Sequence, residues 1–355
     1  MPNSKKFPSA FVIAILFIFI FEFANAYFDN YFYSPQYEGG IGMPFEGLRL
    51  KLKNEISQSK EFSFDILILG DSHSHVCMMP RIIEDKTGLS CFNFATFGAQ
   101  SVMASYWILD NYLKTHPEKP KYLIIGFDPF YIYPMKRPFM ETTALTGLAD
   151  LKKGNVIKFI DEFGISKGVK FILPSLKHQG RFRKFFKNPF AFEIPSKEQL
   201  QNFIQQFYRD RGYYPERVNE SFPRDHELNG FRHLLKYTDL NKFEVSPFTE
   251  KYFRKLLKLA VENKIRIIYH IQPMPPYLSE VVNKYPYLIQ FNNFLNSLKK
   301  EYPDFHVVST QDILNKNEMY LDAYHLNGKG TPIQSEFLAQ KINELELKGT
   351  TLNLN

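Results

Sequence analysis

Apolar residues recur along this chain in two rhythms, as short unbroken runs and as stretches in which they return every three or four positions. The run Phe64–Leu69 is apolar at five of its six positions, contains no Pro or Gly, and stops at Gly70-Asp71-Ser72. A strand covered on both faces of a parallel sheet has this composition. Further strands are predicted at Leu89–Ala95, Tyr122–Phe127, Arg266–Ile271 and Phe305–Ser309. Helical spacing predicts a lead-in helix over Gly47–Lys60, then Pro80–Lys86 with Pro in its first turn and Gly88 as C-cap. It also predicts Val102–Thr115, ending before His116-Pro117, and Pro247–Asn263, Tyr285–Glu301 and Pro332–Leu347. Strand and helix alternate with short connections, and Gln272–Pro276 reads as a Pro-rich loop. The expected fold is therefore α/β, three layers around a central parallel sheet of about five strands with right-handed crossovers.

The alternation fails between Phe130 and roughly Val245, a stretch dense in Phe, Tyr, Arg, Lys and Pro that includes Lys177–Lys187 and Phe207–Tyr214. Loops of this length are functional lids or disordered. The aromatic content favours an ordered insertion, a lid or substrate-binding segment, rising from the C-terminal edge of the third strand. The basic run 177–187 suits a solvated face, or a grip on an anionic polymer or a membrane surface. The expected organisation is an N-terminal segment (1–28), a linker with the lead-in helix (29–61), an α/β domain (62–347) interrupted by the insertion (130–245), and a frayed tail (348–355).

Lys5 and Lys6 precede an unbroken apolar run, Ala10–Phe21, which is followed by Glu22 and Ala24-Asn25-Ala26. A basic start, a short apolar core and small residues at a cleavage position make an export signal. Equally, Phe7–Phe28 is long enough to span a bilayer as an uncleaved anchor with the lysines inside. Either way the rest of the chain is expected outside the cytoplasm, on the periplasmic or cell-envelope side, tethered where the segment is kept.

Composition changes this picture little. The 355 residues suffice for one large domain with insertions or for two domains, and 44% of them are hydrophobic, enough to fill a core. With 36 Phe and 21 Tyr against one Trp, rings must make many of the apolar contacts. A formal charge of +7 favours anionic surfaces such as phospholipid headgroups or acidic polymers, and no nucleic-acid motif accompanies it. Cys77 and Cys91 imply no disulfide framework; each suits a small buried hydrophobe, and one bridge between them is open in an oxidising compartment.

Residues able to do chemistry gather at the predicted strand C-termini, where open α/β sheets bind their ligands. They are Asp71 and Ser72, Asn93, Asp128, and Asp322-x-x-His325. A serine hydroxyl becomes a nucleophile when an imidazole takes its proton and a carboxylate fixes the tautomer of that imidazole. A spacing of three lets Asp322 reach Nδ1 of His325, which leaves Nε2 for Ser72. Asp71 is expected to orient the turn or cap a helix. His73 and His75 carry zinc-type donors, but His-x-His in a turn is a weak pattern and no metal is expected. His270, at a strand end, lines the pocket or satisfies a buried hydrogen bond.

These segments resemble the SGNH, or GDSL-type, hydrolases. Gly70-Asp71-Ser72 resembles their first block, Phe92–Gly98 their second and Asp322–Gly330 their last, over about residues 62–128 and 250–345 of the chain. The resemblance implies a flavodoxin-like fold and a Ser72–His325–Asp322 triad. It also implies an oxyanion site made by the backbone N–H groups of Ser72 and Gly98 and an Asn side chain from the third block. There the family pattern Gly-x-Asn-Asp is replaced by Gly126-Phe127-Asp128-Pro129. An ionised Asp repels an oxyanion, so the expected site is slower, recruits another donor such as Asn93 or Gln272, or is inactive. The chain resembles most the exported branch acting on envelope polysaccharides, of the alginate O-acetyltransferase and lipoteichoic-acid D-alanylation kinds. The expected function is an exported serine-dependent O-acyl esterase or transferase, most simply for acetyl, acting on a cell-envelope glycan. No cofactor is expected. The expected partners are the acylated glycan or another ester, the membrane, and envelope acyl-transfer proteins. The alternative is a non-catalytic envelope protein that binds glycan or protein through the insertion.

Overall fold

The computed structural model describes residues 16–17, 20–21, 46–95, 102–130, 196–214, 238–322 and 325–352. The chain divides into two compact units, Met1–Leu52 with Thr143–Phe203, and Lys53–Thr142 with Ile204–Asn355. In the first, Leu16, Phe17, Ile20 and Phe21 of the N-terminal apolar run are helical and exposed, and the Arg49 guanidinium lies 5.2 Å from the centre of the Phe203 ring. Among the described residues no helix is long and apolar enough to cross a membrane. Residues 29–45 of the expected linker, the basic run 177–187 and most of the expected insertion lie outside the described residues.

The second unit contains the sheet. The elements in chain order are α1 (Glu46–Ser57), β1 (Ile66–Gly70), α2 (Ser72–Cys77), α3 (Pro80–Thr87), β2 (Cys91–Asn93), α4 (Val102–Thr115), β3 (Tyr122–Gly126) and α5 (Lys197–Arg209). They continue with α6 (Pro247–Glu262), β4 (Arg266–Ile271), α7 (Pro276–Val282), α8 (Tyr287–Glu301), β5 (Phe305–Ser309), a 3₁₀ turn (Asn317–Met319) and α9 (Gly330–Leu352). All five strands are parallel, in the order β2-β1-β3-β4-β5. Every residue of β1 and β3 is buried, as strands covered by helices on both faces must be.

Successive side chains of a strand point to opposite faces, so β1 serves two cores. Ile66 and Ile68 join Ile83 of α3 with Leu338 and Ile342 of α9. On the other face α4 packs on α6, and the rings of Phe253, Tyr269, Phe291 and Phe305 link α6, β4, α8 and β5. At the C-terminal edge Gly70 and Gly126 stand in register. Gly70 has φ +151°, and a Cβ there would lie 2.0 Å from Gly126 O. The chain can leave β1 along this path only because the position carries no side chain.

Two expectations change. Pro276 begins a helix, α7, where the sequence suggested only a Pro-rich loop before a helix at Tyr285; Pro occupies the first turn, where its missing N–H costs nothing. The expected tail from Lys348 is helical as far as Leu352.

Candidate active site

Ser72 opens α2 because Asp71 caps that helix. Oδ1 of Asp71 accepts from the His73 N–H at 3.0 Å, and Oδ2 accepts from the Asp128 N–H at 2.6 Å. One carboxylate thereby joins the start of α2 to the end of β3. Ser74 Oγ donates to Gly126 O at 2.8 Å, a second tie across the same strand ends. Ser72 itself is partly exposed.

His325 arrives from a loop that is held at several points. Asn327 Nδ2 donates to Glu318 O at 2.8 Å and to Tyr320 O at 3.2 Å. Cys77, the last residue of α2, accepts from the Leu326 N–H at its Sγ (3.2 Å) and from Gln334 Nε2 at its carbonyl (3.0 Å). The C-terminal end of α2 is therefore docked on the histidine loop and on α9, which brings together two side chains 253 positions apart.

His325 Nε2 lies 2.8 Å from Ser72 Oγ. Its Nδ1 lies 2.9 Å from Asp322 Oδ2 and 3.1 Å from Oδ1, and its backbone N–H donates to Asp322 Oδ1 at 2.8 Å. An ionised carboxylate only accepts, so Nδ1 carries the ring proton and Nε2 is left to accept the proton of Ser72. A base oriented in this way activates a serine hydroxyl.

The other predicted residues separate into those near this chain of bonds and those spent elsewhere. Asn93 is spent: its Nδ2 donates to Ser74 O at 2.8 Å and Met78 O at 3.2 Å, while Oδ1 accepts from the Ala95 N–H at 3.0 Å. Its amide closes the end of α2 and is not offered to Ser72. Gln272 Nε2 donates to Ser74 Oγ at 3.3 Å. His270 is wholly buried, with Nε2 3.0 Å from Thr310 Oγ1. Burial drives its pKa down to about 3, which keeps the ring neutral. Gly98 lies outside the described residues.

The two histidines flanking Ser74 have different partners. His75 Nδ1 lies 2.9 Å from the buried Lys53 ammonium; an ammonium only donates, so this nitrogen accepts and the ring proton sits on Nε2. Lys53 also donates to Ala95 O. Nothing in the polar lead-in helix distinguished Lys53 from a solvent-facing lysine. His73 stacks on His325 with ring centres 4.9 Å apart, and its Nδ1 is 3.2 Å from Asp71 Oδ1. Among the described residues no group of three or more His, Cys, Asp or Glu side chains is placed to hold a metal ion. Cys77 and Cys91 are buried free thiols.

Asp128 is buried, its Oδ1 accepting from the Phe130 N–H at 2.6 Å. Burial pushes its carboxyl up to about 6; His73 opposes the rise, Asp71 adds to it, and the Phe130 N–H and His325 oppose it. A cavity of about 220 Å³ lies against His73 and Asp128, with Phe130, Ile271, Met274, Leu288 and Phe291 as apolar lining and Gln272 and Gln311 as polar lining. A cavity of about 150 Å³ is enough to admit benzene. No family model matches the chain, and no curated protein matches it.

Proposed function

We propose that this protein is an exported, serine-dependent O-acyl esterase or acyltransferase of SGNH type that acts on an acylated cell-envelope glycan. The observation that carries the reading is the continuous chain of hydrogen bonds from Asp322 through His325 to Ser72. Ser72 Oγ attacks the ester carbonyl as His325 Nε2 takes its proton. The tetrahedral adduct collapses to acyl-Ser72, and His325 returns the proton to the departing sugar oxygen. Water, or a second hydroxyl, then attacks the acyl-enzyme with His325 again as base. Asp322 keeps the imidazole in register throughout. The acyl group enters the cavity beside His73, whose volume of about 220 Å³ admits acetyl and larger groups. The basic and apolar N-terminus supports export and tethering, with envelope acyl-transfer proteins as partners.

Fluorophosphonate labelling of the purified protein tests this reading. The expected result is an adduct absent in Ser72→Ala and formed on the order of 10⁶-fold more slowly in His325→Ala. No Ser72-dependent adduct, under conditions that label a control serine esterase, rejects the enzyme. A second reading, a glycan- or protein-binding relative without catalysis, draws on Asp128 in place of an amide donor; it predicts glycan binding without labelling.

A further inference from the structure

Asp128 lies two residues past the end of β3, and its backbone is tied to the start of α2 by a single carboxylate. Asp71 holds the start of α2 with Oδ1 and the Asp128 N–H with Oδ2. The Phe130 N–H on Asp128 Oδ1 then fixes the plane of the Asp128 carboxyl. Its other oxygen, Oδ2, is buried and has no hydrogen-bond partner among the described residues. His73 Nε2 stands 3.9 Å from it, beyond hydrogen-bond range, and His73 is the ring stacked on His325. Asp128 also lines the cavity. A polar oxygen left dry and idle is costly, and more so as an ion.

We propose that Asp128 acts as a carboxylic acid whose Oδ2–H donates to the oxyanion formed when Ser72 attacks, in the place where an amide donor would otherwise stand. The inference rests on the acyl-transfer reading above. The electron pair of the carbonyl π bond moves to its oxygen as the Ser72 Oγ–carbon bond forms, and the serine proton goes to His325 Nε2. Asp128 keeps its own proton through both half-reactions and contributes only a hydrogen bond. A carboxylic acid held neutral in a dry site is an effective donor to such an oxygen. The groups facing it are Asp71, His73, His325 and the Phe130 N–H, and burial outweighs them in raising its pKa. The acid form is therefore lost as pH rises through about 6.

The experiment is the pH dependence of kcat/KM for p-nitrophenyl acetate with the full chain, as wild type, Asp128→Asn and Asp128→Ala. Asn retains an acceptor for the Phe130 N–H and donates at every pH. Wild type is expected to lose activity about tenfold per pH unit above about 6. Asp128→Asn should hold its rate there, and Asp128→Ala should lie about 10²- to 10³-fold below Asp128→Asn across the range. An Asp128→Asn profile that superimposes on wild type overturns the proposal, as does a fall to the Ala level while Ser72 still labels with fluorophosphonate. Infrared titration of wild type reads the same proton without turnover: a protonated-carboxyl band that fades near pH 6 supports the proposal, and its absence overturns it. Loss of Ser72-dependent labelling in wild type and both variants at every pH instead rejects the acyl-transfer reading, and this proposal with it.

Discussion

Asp322 bonds His325 directly, while Asp128 lies 3.9 Å from the His73 ring that stacks on His325, and the two carboxyls are built in opposite ways. Asp322, on the loop before α9, is 30% exposed, and both of its oxygens lie within 3.1 Å of His325 Nδ1. Asp128, two residues past the end of β3, is 4% exposed and keeps one oxygen without a partner among the described residues. A wetted carboxylate that accepts from an imidazole N–H works as an ion. A dry one with a donor on only one of its two oxygens favours its proton. Burial and the supply of N–H groups thus set two carboxyls of one residue type apart, the same means by which carboxyl pairs divide acid and base work.

The largest expected effect breaks the Asp322 side of this contrast. Asp322→Asn offers an N–H to His325 Nδ1 and favours the wrong tautomer, so kcat/KM for p-nitrophenyl acetate should fall about 10⁴-fold at all pH values. Asp128→Asn should show no such loss at pH 8. Equal losses in the two variants, measured side by side, would erase the distinction.

A second effect appears in stability. The Asp128 carboxyl is raised from 3.8 to about 6 on folding, so its contribution is complete below 3.8 and is lost as pH climbs through about 6. Urea denaturation at pH 5 and pH 8 should show a drop for wild type that is smaller in Asp128→Asn, by on the order of 1–3 kcal/mol. An identical drop in both proteins would mean that Asp128 is already ionised at pH 5. The smallest effect concerns the cavity beside it. Leu288→Trp fills part of that space, and the rate with p-nitrophenyl butyrate relative to acetate should fall about tenfold, the discrimination an apolar pocket makes per methylene. An unchanged ratio would place the acyl group elsewhere.

Much of this architecture was legible along the chain. The apolar runs at Phe64–Leu69 and Tyr122–Phe127 announced buried strands because a parallel sheet covered on both faces tolerates little polar surface. Gly70-Asp71-Ser72 announced the turn, since few residues besides Gly accept its backbone. Asp322 and His325 were linked by spacing alone, and their bond is local. Helix α7 was hidden because its seven residues, following directly on the Pro-rich stretch Gln272–Pro276, carry too little periodicity to separate it from a loop.

What the sequence by itself determined was local: strand and helix periods, the glycine turn, the cap at Asp71 and the Asp-x-x-His pairing. The tertiary structure supplied the contact itself, Ser72 Oγ to His325 Nε2. His73 and His75 are its chain neighbours, yet their ring nitrogens face Asp71 and Lys53, while His325 crosses 253 positions to reach it. Tertiary packing also spent the Asn93 amide on the carbonyls of α2 and dried one oxygen of Asp128. Burial and hydrogen-bond supply belong to the assembled surface around a group, and no window of sequence contains that surface.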